Sequence, residues 1–175
     1  MKNKVIEIRK ETINDYPSVY AVNSAAFNRK DEARLTDRLR LSNAFVPELS
    51  LVATIEDKII GAILFTEIYI VDTDKEVVSL SLAPIAVVPD QQNKGIGSQL
   101  IQYGLDKAKE LGYKSVIVLG HKDYYPRFGF KPAKKWSIKA PFNIPDDAFM
   151  ALELVEDSLN NVKGMVRYAK EFGDI

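Results

Sequence analysis

The stretch Leu82-Ala-Pro-Ile-Ala-Val-Val88, Pro89, Asp90-Gln-Gln-Asn-Lys-Gly-Ile-Gly97 decides the architecture of this 175-residue chain. An apolar run suited to a buried strand breaks at Pro89 and crosses a polar loop with two glycines. It then enters a segment whose Ile96, Leu100, Ile101, Leu105, Ala108 and Leu111 recur on one face at a 3.6-residue period. The order is strand, glycine loop, helix, with Gly112 placed to cap the helix in a left-handed conformation. At the mouth of such a helix the first-turn N–H groups lack intrahelical partners, and the helix dipole adds positive charge. Glycines there let a ligand approach the bare backbone, so the loop is expected to hold an anion, a phosphate or pyrophosphate by preference.

Three kinds of phosphate loop compete for this spelling. A P-loop needs G-x-x-x-x-G-K-[ST], which the chain does not contain. The dinucleotide fingerprint G-x-G-x-x-G needs glycine where Leu100 stands, and an acidic residue where the next strand runs into Leu119-Gly120. What fits is Gln92-x-x-Gly95-x-Gly97 behind Ile85-x-Val87-x-Pro89. Downstream, beyond one more apolar run, stands Tyr124-Tyr125-Pro-Arg-Phe-Gly129-Phe130.

The pair of motifs resembles the GNAT superfamily of N-acetyltransferases, over residues 5–130 in element order. The first is similar to that superfamily's coenzyme A loop and the second to its F-Y-x-x-x-G-F segment. Residues 119–130 and 145–154 also resemble a poorly characterised bacterial subfamily. The resemblance implies an α/β (α+β) fold in one acetyltransferase domain spanning residues 1–175. It implies a mixed, mostly antiparallel central sheet of about six to seven strands, flanked by helices and with a splayed central strand pair.

The activity implied is transfer of an acetyl group from acetyl-CoA to a primary amine, by direct attack through a tetrahedral intermediate and without a metal. The pyrophosphate would rest on the backbone N–H groups of Lys94, Gly95, Ile96, Gly97 and Ser98, with Gln92 and Asn93 of the loop also binding the coenzyme and the pantetheine arm along Ile85, Ala86 and Val87. Tyr125 matches the superfamily's acid position, and Glu67, an acid inside an apolar strand, or else a water chain, is expected as general base. An N–H near residues 85–87 is the expected oxyanion donor. Many superfamily members carry an asparagine near the end of the fifth strand. Here Leu119-Gly120-His121 occupies that region; His121 is open to replacing that contact or accepting a proton, and a structural role is the favoured reading. The alternative function is a non-catalytic acyl-CoA-binding sensor on the same fold.

Composition bounds the rest. Length and a 46% hydrophobic content suffice for one full core. Lys+Arg and Asp+Glu are 24 each, so no global field argues for nucleic acid or an anionic membrane as a partner. With no cysteine and one histidine there is neither a disulfide frame nor a thiolate or multi-histidine metal site. Met1-Lys-Asn-Lys-Val-Ile-Glu alternates instead of running apolar, and no apolar run of about 18 residues occurs. A cytoplasmic protein is expected, with an amine acceptor whose identity the residues do not give and a homodimer as an assembly open to it.

Along the chain, residues 4–9 read as a first strand, and Thr12 with Asp15 as an acidic capping box for a helix carrying Val19, Val22, Ala26 and Phe27. A second helix over 30–41 carries Arg34, Arg38 and Arg40 after Arg29, charges that read as a solvated face; in the superfamily this region commonly walls the acceptor pocket. Strands are expected at 49–55 and 59–71 about a turn at Glu56-Asp57-Lys58, then at 78–88, 115–119, 148–155 and 164–168. Pro126 opens a short helix that Gly129 caps, and a further strand is expected beyond it. Lys131, Lys134, Lys135 and Lys139 read as solvated surface around a packing residue, Trp136.

Overall fold

The computed structural model describes residues 4–173; residues 1–3, where the N-terminal alternating run starts, and residues 174–175 lie outside that range. The order is β1 (Ile6–Lys10), α1 (Tyr16–Phe27), α2 (Asp31–Arg40), β2 (Phe45–Ile55), β3 (Lys58–Asp72), β4 (Lys75–Val87), α3 (Ile96–Glu110) and β5 (Ser115–Leu119). Then come β6 (Lys131–Pro132), β7 (Ile138–Lys139), β8 (Phe149–Glu153) and β9 (Gly164–Arg167). All nine strands join one sheet in the order β1-β2-β3-β4-β5-β8-β6, with β9 on the far half of β3 and β7 on β9. Two of the nine, β6 and β7, are two residues long, so seven carry the sheet, as expected.

Every neighbouring pair is antiparallel except β4–β5 and β7–β9. The strand-helix-strand passage β4-α3-β5 gives a parallel pair, and it holds at only two register positions, Leu80↔Val116 and Ser81↔Ile117. Beyond them β4 continues from Leu82 to Val87 against β3 alone, while Val118 and Leu119 of β5 pair with β8. A bulge marks the parting: Leu64 of β3 faces both Ala83 and Pro84 of β4. This is the splayed central pair.

Two strands are longer than the hydrophobic pattern indicates. The first residues of β4 are polar, but they close a hairpin with β3 through Asp72↔Lys75 and Val71↔Glu76, and backbone pairing overrides composition. β2 begins at Phe45, paired with Thr66, and rejoins β3 at Ser50↔Leu64 after an irregular excursion through Pro47.

The pleat sorts β3 into two faces. Val19 and Val22 of α1 cover Ala62 with Val52 and Ala86. On the same face Ile68 and Ile70 join Ile117, Phe149 and Val166, with Trp136 packed alongside. On the opposite face, Leu100, Ile101 and Leu105 of α3 bury Ile63, Phe65, Leu80 and Val116. The helix lies close because two glycines permit it. A Cβ on Gly61 would stand 3.1 Å from Leu100 Cδ1, and one on Gly104 would stand 2.3 Å from the Phe65 ring. No helix among the described residues is long and apolar enough to cross a membrane.

One charge expected at the surface is not there. Arg34 and Arg38 are exposed, but the Arg40 side chain is only 5% exposed. Its Nε and Nη2 donate to the two Glu11 carboxylate oxygens at 2.9 Å, its Nη1 donates to Asp37, and its guanidinium lies 3.9 Å from the centre of the Tyr16 ring. Ser50 of β2 donates to the same Glu11 carboxylate at 2.5 Å. A helix pattern could not show this, because the carboxylate comes from 29 residues upstream. The network pins α1 and α2 to the β1–β2 edge of the sheet.

Arg40→Ala would strand the buried Glu11 charge and should cost about 3–5 kcal/mol in urea unfolding, while Arg34→Ala should stay within about 0.5 kcal/mol of the parent. For Gly104→Ala, helix propensity favours alanine by about 1 kcal/mol, but overpacking against the fully buried Phe65 costs about 1–3 kcal/mol. Gly104→Ala should therefore unfold at lower urea than the parent; an unchanged or higher midpoint would show that Phe65 gives way.

Candidate active site

Where β4 and β5 part, the glycine loop meets the turn that follows β5. After a short 3-10 turn at Pro89–Gln91, Asn93 (φ 63°) and Gly95 (φ 81°) both take left-handed backbone, and α3 starts at Ile96. The first helical bond in the loop is Gln99 N–H to Gly95 C=O at 3.1 Å. Among the described residues, the backbone N–H groups from Lys94 through Ser98 donate to no group of the chain. Five donors thus converge at the positive end of a 15-residue helix.

The two glycines have different causes. Gly95 needs its conformation, and a Cβ on it would meet only open space. Gly97 has ordinary helical backbone, and a Cβ there would find Tyr124 Oη at 3.7 Å and Ile85 Cδ1 at 3.8 Å, normal contacts for a folded chain. Neither conformation nor packing within the protein demands glycine at 97; what its bareness preserves is space in front of the free N–H groups.

The loop borders a cavity of about 560 Å³. Of the residues expected to bind coenzyme, Val87, Gln92, Asn93, Gly95, Ile96, Gly97 and Ser98 line it. Gln92 also turns back to donate from Nε2 to the Val87 carbonyl at 2.9 Å, fastening the loop to the end of β4. Three residues stand elsewhere. Lys94 points its ammonium at Gln91 and is not part of the wall, Ile85 flanks Gly97, and Ala86 packs its side chain toward α1 on the other face.

Adjacent tyrosines after β5 have separate surroundings. Tyr125 begins a 3-10 turn, Tyr125–Phe128, which Gly129 ends at φ 99°. Its ring is buried edge-on against Tyr124 and Phe130 and lies so near Gly120 that a Cβ there would stand 2.3 Å away. Burial, and after it the neighbouring Tyr124 phenol, push the Tyr125 hydroxyl up to about 12, so it keeps its proton at neutral pH. Among the described residues that hydroxyl has no hydrogen-bond partner. Tyr124 is instead committed: its Oη lies 2.8 Å from Ser98 Oγ, bridging the turn to the first turn of α3 across the mouth of the splay. Three residues on, Arg127 lies over the Tyr124 ring and lines the same cavity, the spacing at which side chains of a 3-10 turn align. Tyr124 stands in the motif with no binding role implied and Arg127 at one of its variable positions; their three-residue spacing is the signal that joins them.

Glu67 is not brought to this site. It belongs to β3, on the opposite side of β4 from the splay, and accepts a hydrogen bond from the Tyr113 hydroxyl at 2.5 Å. Burial and that contact raise the Tyr113 phenol well above its ordinary value. The half-buried Glu67 faces a separate cavity of about 440 Å³ with Tyr69, Arg167 and Lys170, where β9 takes over the edge of β3 from β2. His121 is exposed and contributes its carbonyl to the N–H groups of Tyr124 and Tyr125, a structural part. None of Lys131, Lys134, Lys135 and Lys139 borders the glycine-loop cavity; Lys135 lies over Trp136 and Lys134 pairs with Asp146.

Known proteins resemble this chain in sequence and in overall fold. The acetyltransferase (GNAT) family profile matches residues 10–130. The uncharacterised N-acetyltransferase YhbS of Escherichia coli K12 is 34% identical over 166 residues, 94% of this chain and 97% of its own. YjhQ of the same organism, also an uncharacterised N-acetyltransferase, is 37% identical over 77% of this chain and 75% of its own. The crystal structure of E. coli YhbS in complex with CoA superimposes with a TM-score of 0.91 at 30% identity, covering 99% of this chain and 95% of the other. A GNAT family acetyltransferase from Brucella melitensis, in complex with acetyl-CoA, gives 0.79 at 30% identity over 97% and 99%.

Gly97→Glu would put bulk and negative charge into the space before the free N–H groups, on a Cβ that itself meets only ordinary contacts. It should leave the melting temperature within a few degrees of the parent and abolish calorimetrically detectable CoA binding. Parental affinity in a folded variant would put the phosphate site elsewhere.

Proposed function

Because the chain belongs to the acetyltransferase (GNAT) family, we propose that it acts as one domain that moves an acetyl group from acetyl-CoA to a primary amine of a small molecule or protein. The observation that carries this reading is the set of five free N–H groups in front of bare Gly97, at the open end of a splayed strand pair. Bound there, acetyl-CoA supplies an activated acetyl thioester at the end of a long arm.

The chain's own residues supply the rest. The N–H groups of residues 94–98 and the α3 dipole hold the pyrophosphate without needing a dedicated cation. The edge of β4 from Leu82 to Val87 has lost β5 as a neighbour, so its main chain is free to bond an extended ligand like an added strand. An N–H of this edge near residues 85–87 serves as the oxyanion donor. Tyr125 holds a proton for the departing thiolate: its hydroxyl is uncommitted, its raised pKa keeps it protonated, and its ring is fixed by Gly120 and Phe130. Direct proton abstraction by Glu67 is not retained, since β4 lies between its strand and the splay; the amine proton passes to water. The same cavity would serve a non-catalytic acyl-CoA sensor, and the free Tyr125 hydroxyl is what favours transfer.

Tyr125→Phe removes one hydroxyl without touching packing. Single-turnover release of thiol from acetyl-CoA, with a primary amine found by panel screening, should fall by about 10²-fold at unchanged coenzyme affinity. Tyr124→Phe, which breaks the bond to Ser98, should move coenzyme KM more than kcat. Full single-turnover activity in Tyr125→Phe would remove it as the acid.

A further inference from the structure

The motif Tyr124-Tyr125-Pro-Arg127 contains a group that the proposed chemistry leaves unused. Arg127 is the one charged residue among the described residues that line the glycine-loop cavity, and it stands on a different element from the loop. It is exposed but held. Its Nε donates to the Tyr124 carbonyl at 3.1 Å, and its guanidinium carbon lies 4.5 Å from the centre of the Tyr124 ring. Tyr124 is in turn tied to Ser98. The plane of the guanidinium is thus set by two contacts while its terminal Nη groups stay uncommitted. No carboxylate among the described residues lies within ion-pair distance of it.

An unpaired, pre-oriented arginine on the rim of an anion cavity is built for a bidentate phosphate contact, and pre-orientation lowers the entropy lost on binding. The pyrophosphate is already served by five backbone donors and a helix dipole. Coenzyme A carries one further anionic group, the ribose 3′-phosphate, a monoester close to dianionic near neutral pH. Resting on the coenzyme reading above, we infer that Arg127 binds the 3′-phosphate and so sets the selectivity of the site for CoA over 3′-dephospho-CoA.

Calorimetric titration of the full chain with both ligands at low salt tests this. The parent should prefer CoA by about tenfold or more, as a charge-assisted contact would give. Arg127→Gln should lose about that factor for CoA and nothing for 3′-dephospho-CoA, and Arg127→Lys should recover part of the loss. The parent's preference should shrink as salt is raised. An equal loss for both ligands would assign Arg127 to the pyrophosphate and overturn the inference. No loss for either would overturn it as well. A parent that binds neither ligand would instead overturn the coenzyme reading, and this inference with it.

Discussion

β4 and β5 are parallel neighbours for two residues and then part, and the candidate site exists because of that parting. A sheet that stayed paired to the end of β4 would leave no main-chain edge between Leu82 and Val87 and no room before the glycine loop. The parting is stable because each strand keeps a partner on its other side. β4 runs antiparallel to β3 down to Gly61↔Val87, and β5 runs antiparallel to β8 through Leu119↔Phe149. Unpaired backbone groups are therefore confined to the facing edges, where a ligand or water can satisfy them.

Helix α3 turns this gap into a site with a sign. Gly61 of β3 makes room for Leu100 of α3, and Gly104 of α3 makes room for Phe65 of β3, so the helix lies close on the sheet with its first turn at the open end of the splay. Charge neutrality of the whole chain matters little against such a local field, since the unbonded N–H groups of Gly95, Ile96, Gly97 and Ser98 belong to one cavity wall that holds no carboxylate. Across the mouth, Tyr124 and Ser98 close the ring between helix and turn. Tyr125, one residue on, is sealed into the core with its hydroxyl alone left uncommitted. Successive residues on a tight turn point in different directions, which is how one dipeptide supplies both a strut and a proton holder.

On the other face, the Arg40–Glu11 pair fixes the helices that flank the sheet. With side-chain exposures of 5% and 4%, these two groups are costly to desolvate, and their pairing is completed by Ser50, Asp37 and Tyr16. The network restrains the position of α1 and α2 over β1 and β2.

The sequence by itself determined the element order, the glycine loop and the parallel step through α3, because these rest on local periodicity and on turn chemistry within about 30 residues. It also determined that Gly95 to Ser98 would present free N–H groups, since helix geometry alone dictates that. Side-chain placement was legible only in part. Glu67 reads as an acid on an inner strand, but whether that strand borders the splay depends on sheet order, which a single strand does not encode. Arg40 reads as one solvated charge among several until Glu11, 29 residues away, is folded against it. Tyr124 and Arg127 gained their places in the cavity wall only when the turn after β5 was laid beside the first turn of α3. Such contacts between segments distant in sequence are decided by packing, where long-range geometry and not local propensity selects the partner.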